Sequence, residues 1–192
     1  YDTRNAAIFP TSGVLHQIRA QLAIPGGDLK YYKLDYDTRW FINLYKQYVL
    51  LLKGRIGYGD SYGGTSELPF FENFYAGGPR SVRGFLENTL GPEDQFGRAL
   101  GGSLLTIGNI ELILPLPFLK DLNSVRVTGF VDAGNVFGTD QQFATEDLRY
   151  STGISGVWLS PFGVLTVSVA QTFNDQQGDE IQPFQFSFGT SF

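Results

Sequence analysis

The sequence predicts an all-β protein: an antiparallel, up-and-down transmembrane β-barrel with eight strands in these 192 residues. Three observations lead there. Several stretches alternate apolar and polar side chains with the period of two that a strand imposes. The connections between them are alternately tight and polar, matching the short turns and longer loops at opposite ends of outer-membrane barrels. No run of about 18 apolar residues occurs, so the apolar content is not gathered into a membrane-crossing helix.

The elements follow in order. Val14 to Ile24 places Val14, Ile18, Leu22 and Ile24 on one side and Gln17, Arg19 and Gln21 on the other. Tyr32 to Asn43 is the clearest strand: Tyr32, Leu34, Tyr36, Thr38, Trp40 and Ile42 alternate with Lys33, Asp35, Asp37, Arg39, Phe41 and Asn43. Tyr48 to Gly59 sets Leu50, Leu52, Ile56 and Tyr58 against Lys53 and Arg55. Leu104 to Leu114 is more apolar, with Asn109 and Glu111 on one parity. Val125 to Val136 sets Val125, Val127, Val131 and Ala133 against Arg126, Thr128 and Asp132. Tyr150 to Ser160 and Val164 to Gln171 are shorter and rich in Gly and Ser. Pro183 to Phe192 carries Phe184, Phe186, Phe188, Thr190 and Phe192 on one face and Gln185, Ser187, Gly189 and Ser191 on the other. The connections at 43–47, 115–123 and 160–163 are tight or proline-marked, and that end is expected to be periplasmic. Those at 25–30, 61–100, 138–148 and 174–182 are polar, and 61–100 is expected to be a long extracellular loop.

Composition narrows the function. The absence of Cys excludes disulfide frameworks, zinc–thiolate sites and cysteine nucleophiles. There is no Met and no visible signal peptide, as expected of a mature protein or an excised piece. A mean hydropathy of −0.08 resembles a soluble protein, but a barrel wall hides in that average because half its strand residues face a wet lumen. A net charge of −5 without a basic stripe argues against nucleic acid. His16, the sole histidine, lies on the apolar parity of its strand and reads as an outward or interfacial side chain, not a general base. The acidic residues at 138–148 and 174–182 lack metal-ligand spacing and read as solvated loop tips. No catalytic set, metal or cofactor is expected.

Alternation alone also fits a soluble sandwich or a lipocalin-like barrel, and parity cannot say which face is outside. Two features favour lipid. Lys33, Asp35, Asp37 and Arg39 put charges in register on the polar face, and Tyr32, Trp40, Tyr58 and Trp158 put aromatic residues near strand ends, as girdles do.

Arg83 is the residue to single out, in the glycine- and aromatic-rich segment from Phe71 to Phe85. Its guanidinium offers five donors in a rigid fork and needs carboxylates if it enters a lumen. Glu111 and Asp132 are candidates on inward faces, and a bidentate contact would pin the loop. The alternative is a solvated loop charge, the usual fate of a loop arginine.

The segment Phe71-Glu72-Asn73-Phe74-Tyr75-Ala76-Gly77-Gly78-Pro79-Arg80-Ser81-Val82-Arg83-Gly84-Phe85 resembles the VRGF loop of the BamA family of outer-membrane assembly factors. Further similarities are Phe9-Pro10-Thr11-Ser12-Gly13 at a periplasmic turn, Gly57-Tyr58-Gly59-Asp60, Phe130-Val131-Asp132-Ala133-Gly134 and Pro115-Leu116-Pro117-Phe118. The resemblance implies that Val82, Arg83, Gly84 and Phe85 fold into the barrel and lock onto Glu111 and Asp132. It implies that Phe184, Phe186, Phe188, Gly189 and Phe192 belong to a terminal β-signal. Residues 1–192 would be the C-terminal half of a sixteen-stranded barrel, from the ninth strand onward, without its first strand or its periplasmic POTRA domains. The implied function is non-enzymatic: folding and inserting β-barrel proteins in the bacterial outer membrane. The implied partners are the lipid bilayer, nascent outer-membrane proteins and, through the periplasmic domains, other assembly subunits; the fragment alone is expected to be inactive. Because VRGF-type loops occur across the superfamily, a TamA-like factor or a two-partner secretion transporter stays open. So does a reading of another class, a passive channel or structural barrel. For the fragment itself, the first and last strands are expected to pair into a closed eight-stranded barrel. That would expel the loop and part Arg83 from at least one carboxylate. The competing outcome is a homodimer of open halves with the loops inside.

Overall fold

The alternating stretches become eight strands. They are β1 (Gly13–Leu22), β2 (Tyr31–Tyr45), β3 (Tyr48–Ser61), β4 (Leu104–Leu114), β5 (Val125–Phe137), β6 (Arg149–Ser160), β7 (Gly163–Phe173) and β8 (Phe184–Gly189). The structure is a computed structural model and describes residues 1–23, 29–115 and 124–189. Ile24, Leu116-Pro117-Phe118 and the final Thr190-Ser191-Phe192 therefore lie outside the described residues. All eight strands form one antiparallel sheet in chain order, β1 to β8. The register is regular along β1–β2, where His16 faces Thr38 and Arg19 faces Asp35, and along β4–β5, where Asn109 faces Asp132 and Glu111 faces Phe130.

Burial settles which face is outside. The apolar parity is exposed: Phe184, Phe186 and Phe188 are 60%, 59% and 55% accessible, and Trp40, Ile56, Ile110, Ile154 and Val169 are likewise open. From β4 to β8 the polar parity is buried, including Asn109, Glu111, Thr128, Asp132, Ser151, Ser155, Ser168 and Gln185, while Gln17, Arg19 and Gln21 of β1 stay exposed. A soluble barrel would show the opposite, apolar inside and polar outside. His16 sits on the outward parity, its Nδ1 2.8 Å from Tyr36 Oη and 2.9 Å from Thr38 Oγ1.

The inner face is covered by the segment between β3 and β4. Phe74, Ala76, Val82, Phe85 and Leu90 of that segment form one buried cluster with Leu105 and Ile107 of β4 and Val136 of β5. A second inward cluster, Phe41, Val49, Leu51 and Ile113, lies nearer the short-turn end. Glycines on the wall make room for the segment. A Cβ at Gly57 would fall 2.5 Å from the Phe74 ring, and one at Gly153 would fall 2.8 Å from the Phe130 ring across the sheet.

This corrects the expectation of a closed eight-stranded barrel. Among the described residues β1 pairs with β2 and β8 with β7, and the two do not pair with each other. Instead the chain ahead of β1 runs along its other side, with Thr3 N–H donating to Val14 O and His16 N–H to Tyr1 O. The physical reason is the volume of the loop. An eight-stranded closure leaves room for little beyond its own side chains. Expelling the loop would expose the Phe74–Leu90 cluster and strand buried charges. The sheet therefore stays open around it, and Arg83 keeps both of its carboxylates.

Candidate functional site

The site is built where the loop meets β4 and β5. Alternation puts Asn109 and Glu111 of β4 and Phe130 and Asp132 of β5 on the inner face, and antiparallel register sets them side by side. Gly84 turns the loop beside them. Its φ of +92° is a conformation L side chains avoid, and a Cβ there would fall 2.8 Å from Thr172 Cγ2. Gly84→Ala should therefore cost about 1–3 kcal/mol through backbone strain alone. A detergent unfolding titration showing no loss would contradict this conformation.

Arg83 is 5% exposed and Asp132 is fully buried. The guanidinium grips Asp132 bidentately, Nε to Oδ2 at 2.7 Å and Nη2 to Oδ1 at 2.7 Å, and Nη2 also reaches Glu111 Oε1 at 3.0 Å. The Arg83 backbone N–H donates to Asp132 Oδ2 at 3.0 Å. Asn109 Nδ2 donates to Asp132 Oδ1 at 2.8 Å and to Ser81 O at 2.7 Å, tying the loop backbone to the same carboxylate. Lys53 Nζ on β3 donates to Glu111 Oε1 at 2.6 Å. The guanidinium lies over the Phe130 ring, 3.5 Å from its centroid. Arg83 and Lys53 thus balance Asp132 and Glu111. That equality lets the four charges share a site screened from water, where an unmatched charge would be costly.

Beyond the motif, the loop is tied to the last strand. Gln185 of β8 donates from Nε2 to Phe85 O at 2.6 Å and accepts from Gly84 N–H at 3.3 Å. Just before β8, Gln182 N–H donates to Gly84 O and Leu86 N–H to Glu180 O. Gln185→Leu would leave Gly84 N–H without its partner, at a cost of about 1–3 kcal/mol, while Phe85 O keeps the Gly78 N–H. Faster amide exchange at Gly84 and Leu86 in this variant is the expected signature, and unchanged exchange would contradict the tie.

Two further anchors hold the segments at the loop end. Glu72 accepts from Lys33 Nζ at 3.1 Å and Tyr31 Oη at 2.9 Å. Burial pushes the Glu72 carboxyl up, but the Lys33 and Tyr31 contacts more than offset it, and the net shift is downward. Its contribution is therefore present above the ordinary carboxylate range and lost as pH falls through the depressed value. Arg149 of β6 grips Asp179 at 2.8 and 3.0 Å with both side chains buried. The expectation that the acidic residues at 174–182 are all solvated tips is thus corrected for Asp179.

The structure brings Val82, Arg83, Gly84, Phe85, Glu111 and Asp132 together, with Val82 and Phe85 in the buried cluster. Phe184, Phe186 and Phe188 lie on the exposed parity of β8, Gly189 on its inward parity, and Phe192 is outside the described residues. Sequence reasoning missed Lys53, Asn109, Phe130 and Gln185 as partners. Each stands on the inward parity of its strand, and Phe130 was the signal: a lone aromatic residue among Arg126, Thr128 and Asp132.

An open antiparallel wall, apolar outside and polar inside, with a loop ion-paired to its inner face, is the architecture of a transmembrane barrel carrying a folded-in loop. Residues 1–192 match the Omp85 superfamily domain, and the chain belongs to that family. It is 38% identical over 216 aligned residues to the outer membrane protein assembly factor BamA of Neisseria meningitidis serogroup B, covering 98% of this chain and 27% of that protein. It is 31% identical to the sorting and assembly machinery component 50 homolog A of Xenopus laevis, covering 100% of this chain and 44% of that protein. Among solved structures it superimposes with a TM-score of 0.89 and 33% identity on BamA of Haemophilus ducreyi lacking POTRA domains 1-3, over 97% of this chain and 40% of that one. The chain thus spans less than half the length of these relatives. It is an integral outer-membrane β-barrel segment, and its exposed apolar face is the lipid face.

Proposed function

We propose that these residues form the loop-bearing C-terminal half of the barrel of a non-enzymatic insertase that folds and inserts β-barrel proteins in the bacterial outer membrane. The observation that carries this reading is the attachment of one loop, Val82 to Phe85, to β4, β5 and β8 at once. Among the described residues β8 is held by a short ladder. Its ladder with β7 runs from Val164 to Val169, against the longer ladder of β2 with β3. A strand so held, with its other edge unpaired among the described residues, offers N–H and C=O groups that lipid cannot satisfy and an incoming strand can. Strand exchange of that kind uses no nucleotide. The short-turn end is periplasmic in this reading, and 61–100 is an extracellular loop folded back into the lumen. The partners are the bilayer, nascent outer-membrane proteins and, through periplasmic domains outside these residues, other assembly subunits. Expressed alone, the fragment would meet a second copy edge to edge. A loop packed against the inner wall speaks against an open passive channel.

The test is client folding in proteoliposomes holding the protein at its full natural length. Protease-protected folding of an unfolded porin should run faster than in empty liposomes, without added nucleotide, and should slow with Arg83→Ala. Equal rates with and without the protein would refute the reading.

A further inference from the structure

Beside the loop lies a chamber of about 470 Å³, lined by Pro79, Arg80 and Arg83 of the loop, by the Phe9–Pro10 turn and by inward residues of the strands. That volume is in the range of pockets that hold small organic ligands. Its charge is opposite to that of the chain. The whole sequence carries −5, yet the carboxylates that reach the chamber are Asp37 and Glu111, against a larger set of Arg and Lys side chains. Part of that set is matched inside the fold. Arg4 pairs with Asp2, Arg39 with Asp37, Arg55 with Asp35, and Lys53 and Arg83 share Glu111 and Asp132.

The remainder is not matched. Among the described residues Arg19, Arg80 and Arg126 have no carboxylate within ion-pair distance. Arg126 is structural: it donates to Pro10 O at 2.9 Å and to Phe9 O, and lies 4.6 Å over the Phe9 ring. It holds that turn in place and keeps its charge in the chamber. Arg19 has a single 3.5 Å contact, to Gln17, and both Arg19 and Arg80 are exposed to the chamber. Guanidinium groups gathered in a cleft with low-dielectric walls focus a positive potential and attract anions. Beside them the lining turns apolar, with Phe41, Leu51 and Ile113. An inorganic anion has no use for such a floor.

We propose that this chamber is a binding site for an acidic peptide segment, taking carboxylates on Arg19 and Arg80 and apolar side chains on the Phe41–Leu51–Ile113 floor. The site depends on the inside–outside assignment of the wall and not on the insertase reading, because binding is measured without any client folding.

The probe is a fluorescein-labelled peptide alternating Glu with Phe and Leu. It is titrated by anisotropy onto the protein at its full natural length in nanodiscs. A peptide with Lys in place of Glu, and sodium sulfate, serve as competitors. Among the described residues Arg19 and Arg80 make no ion pair, so the Arg19→Gln/Arg80→Gln double variant should leave this fold intact, which unchanged heat-modifiability checks. The site predicts saturable binding of the Glu peptide that weakens by about tenfold or more in the double variant. Equal binding of the Lys peptide, an unchanged affinity in the double variant, or displacement by sulfate at the peptide's own concentration would each overturn it. A client-folding defect with normal peptide binding would count against the insertase reading and leave the chamber standing.

Discussion

Arg83→Ala is expected to destabilise the barrel by about 3–5 kcal/mol, the cost of breaking a buried ion pair from one side. The magnitude follows from what is left behind. Asp132 is fully buried, and without the guanidinium it keeps only the Arg83 backbone N–H and Asn109 as donors. Lys53 would still neutralise Glu111, so the orphaned charge is that of Asp132. Two corollaries sharpen the expectation. Arg83→Lys should recover only part of the loss, because an ammonium cannot reproduce the two-pronged contact. Arg83→Leu with Asp132→Leu should be less destabilised than the sum of the single changes, since the pair leaves together and the remaining Lys53–Glu111 pair is balanced. Urea titrations of the variants in detergent measure all three, and additive losses in the double variant would show that the two charges do not depend on each other.

Phe186→Arg is the second large effect, about 2–4 kcal/mol for a cation at mid-bilayer on the lipid face of a barrel. Phe186 is 59% exposed and lies opposite Val167, another outward residue. Ser187, one residue on, faces inward and lines the chamber. Ser187→Arg should cost less than Phe186→Arg when both are refolded into lipid vesicles. The reverse order would invert the wall.

Much of this fold was legible because a strand with one wet face advertises itself. Tyr32 to Asn43 alternates almost without exception, and Leu104 to Leu114 matches β4 end to end. Parity alone is symmetric, but the charges in register on β2 and the aromatic residues near strand ends favoured lipid on the apolar face, and burial agrees. The apolar residues on the inward parity, Phe41, Val49, Leu51 and Ile113, look like noise in the alternation until the register stacks them into a cluster. Within the site, the motif pointed to Arg83, Glu111 and Asp132. Gln185 and Lys53 could not be placed, because their role depends on strands β8 and β3 curving around a loop whose path the sequence does not encode locally. Closure of the sheet was misjudged for the same reason. Edge pairing favours closure, but the Phe74–Leu90 cluster holds the loop in place inside the sheet.

The central claim is that the loop lies locked against the inner wall of a membrane barrel. These 192 residues contain no cysteine, so within them an introduced pair can oxidise only with itself. A Cβ placed on Gly134 lies 3.0 Å from Val82 Cγ2, within reach of a disulfide once the strand yields at Thr106 O, 2.7 Å from the same Cβ. In the full-length protein in outer membranes, Val82→Cys with Gly134→Cys should oxidise to an intramolecular disulfide, seen as a mobility shift reversed by reductant. Free thiols at both positions after oxidation, each open to a membrane-impermeant reagent from outside, would place the loop off the wall and contradict the account.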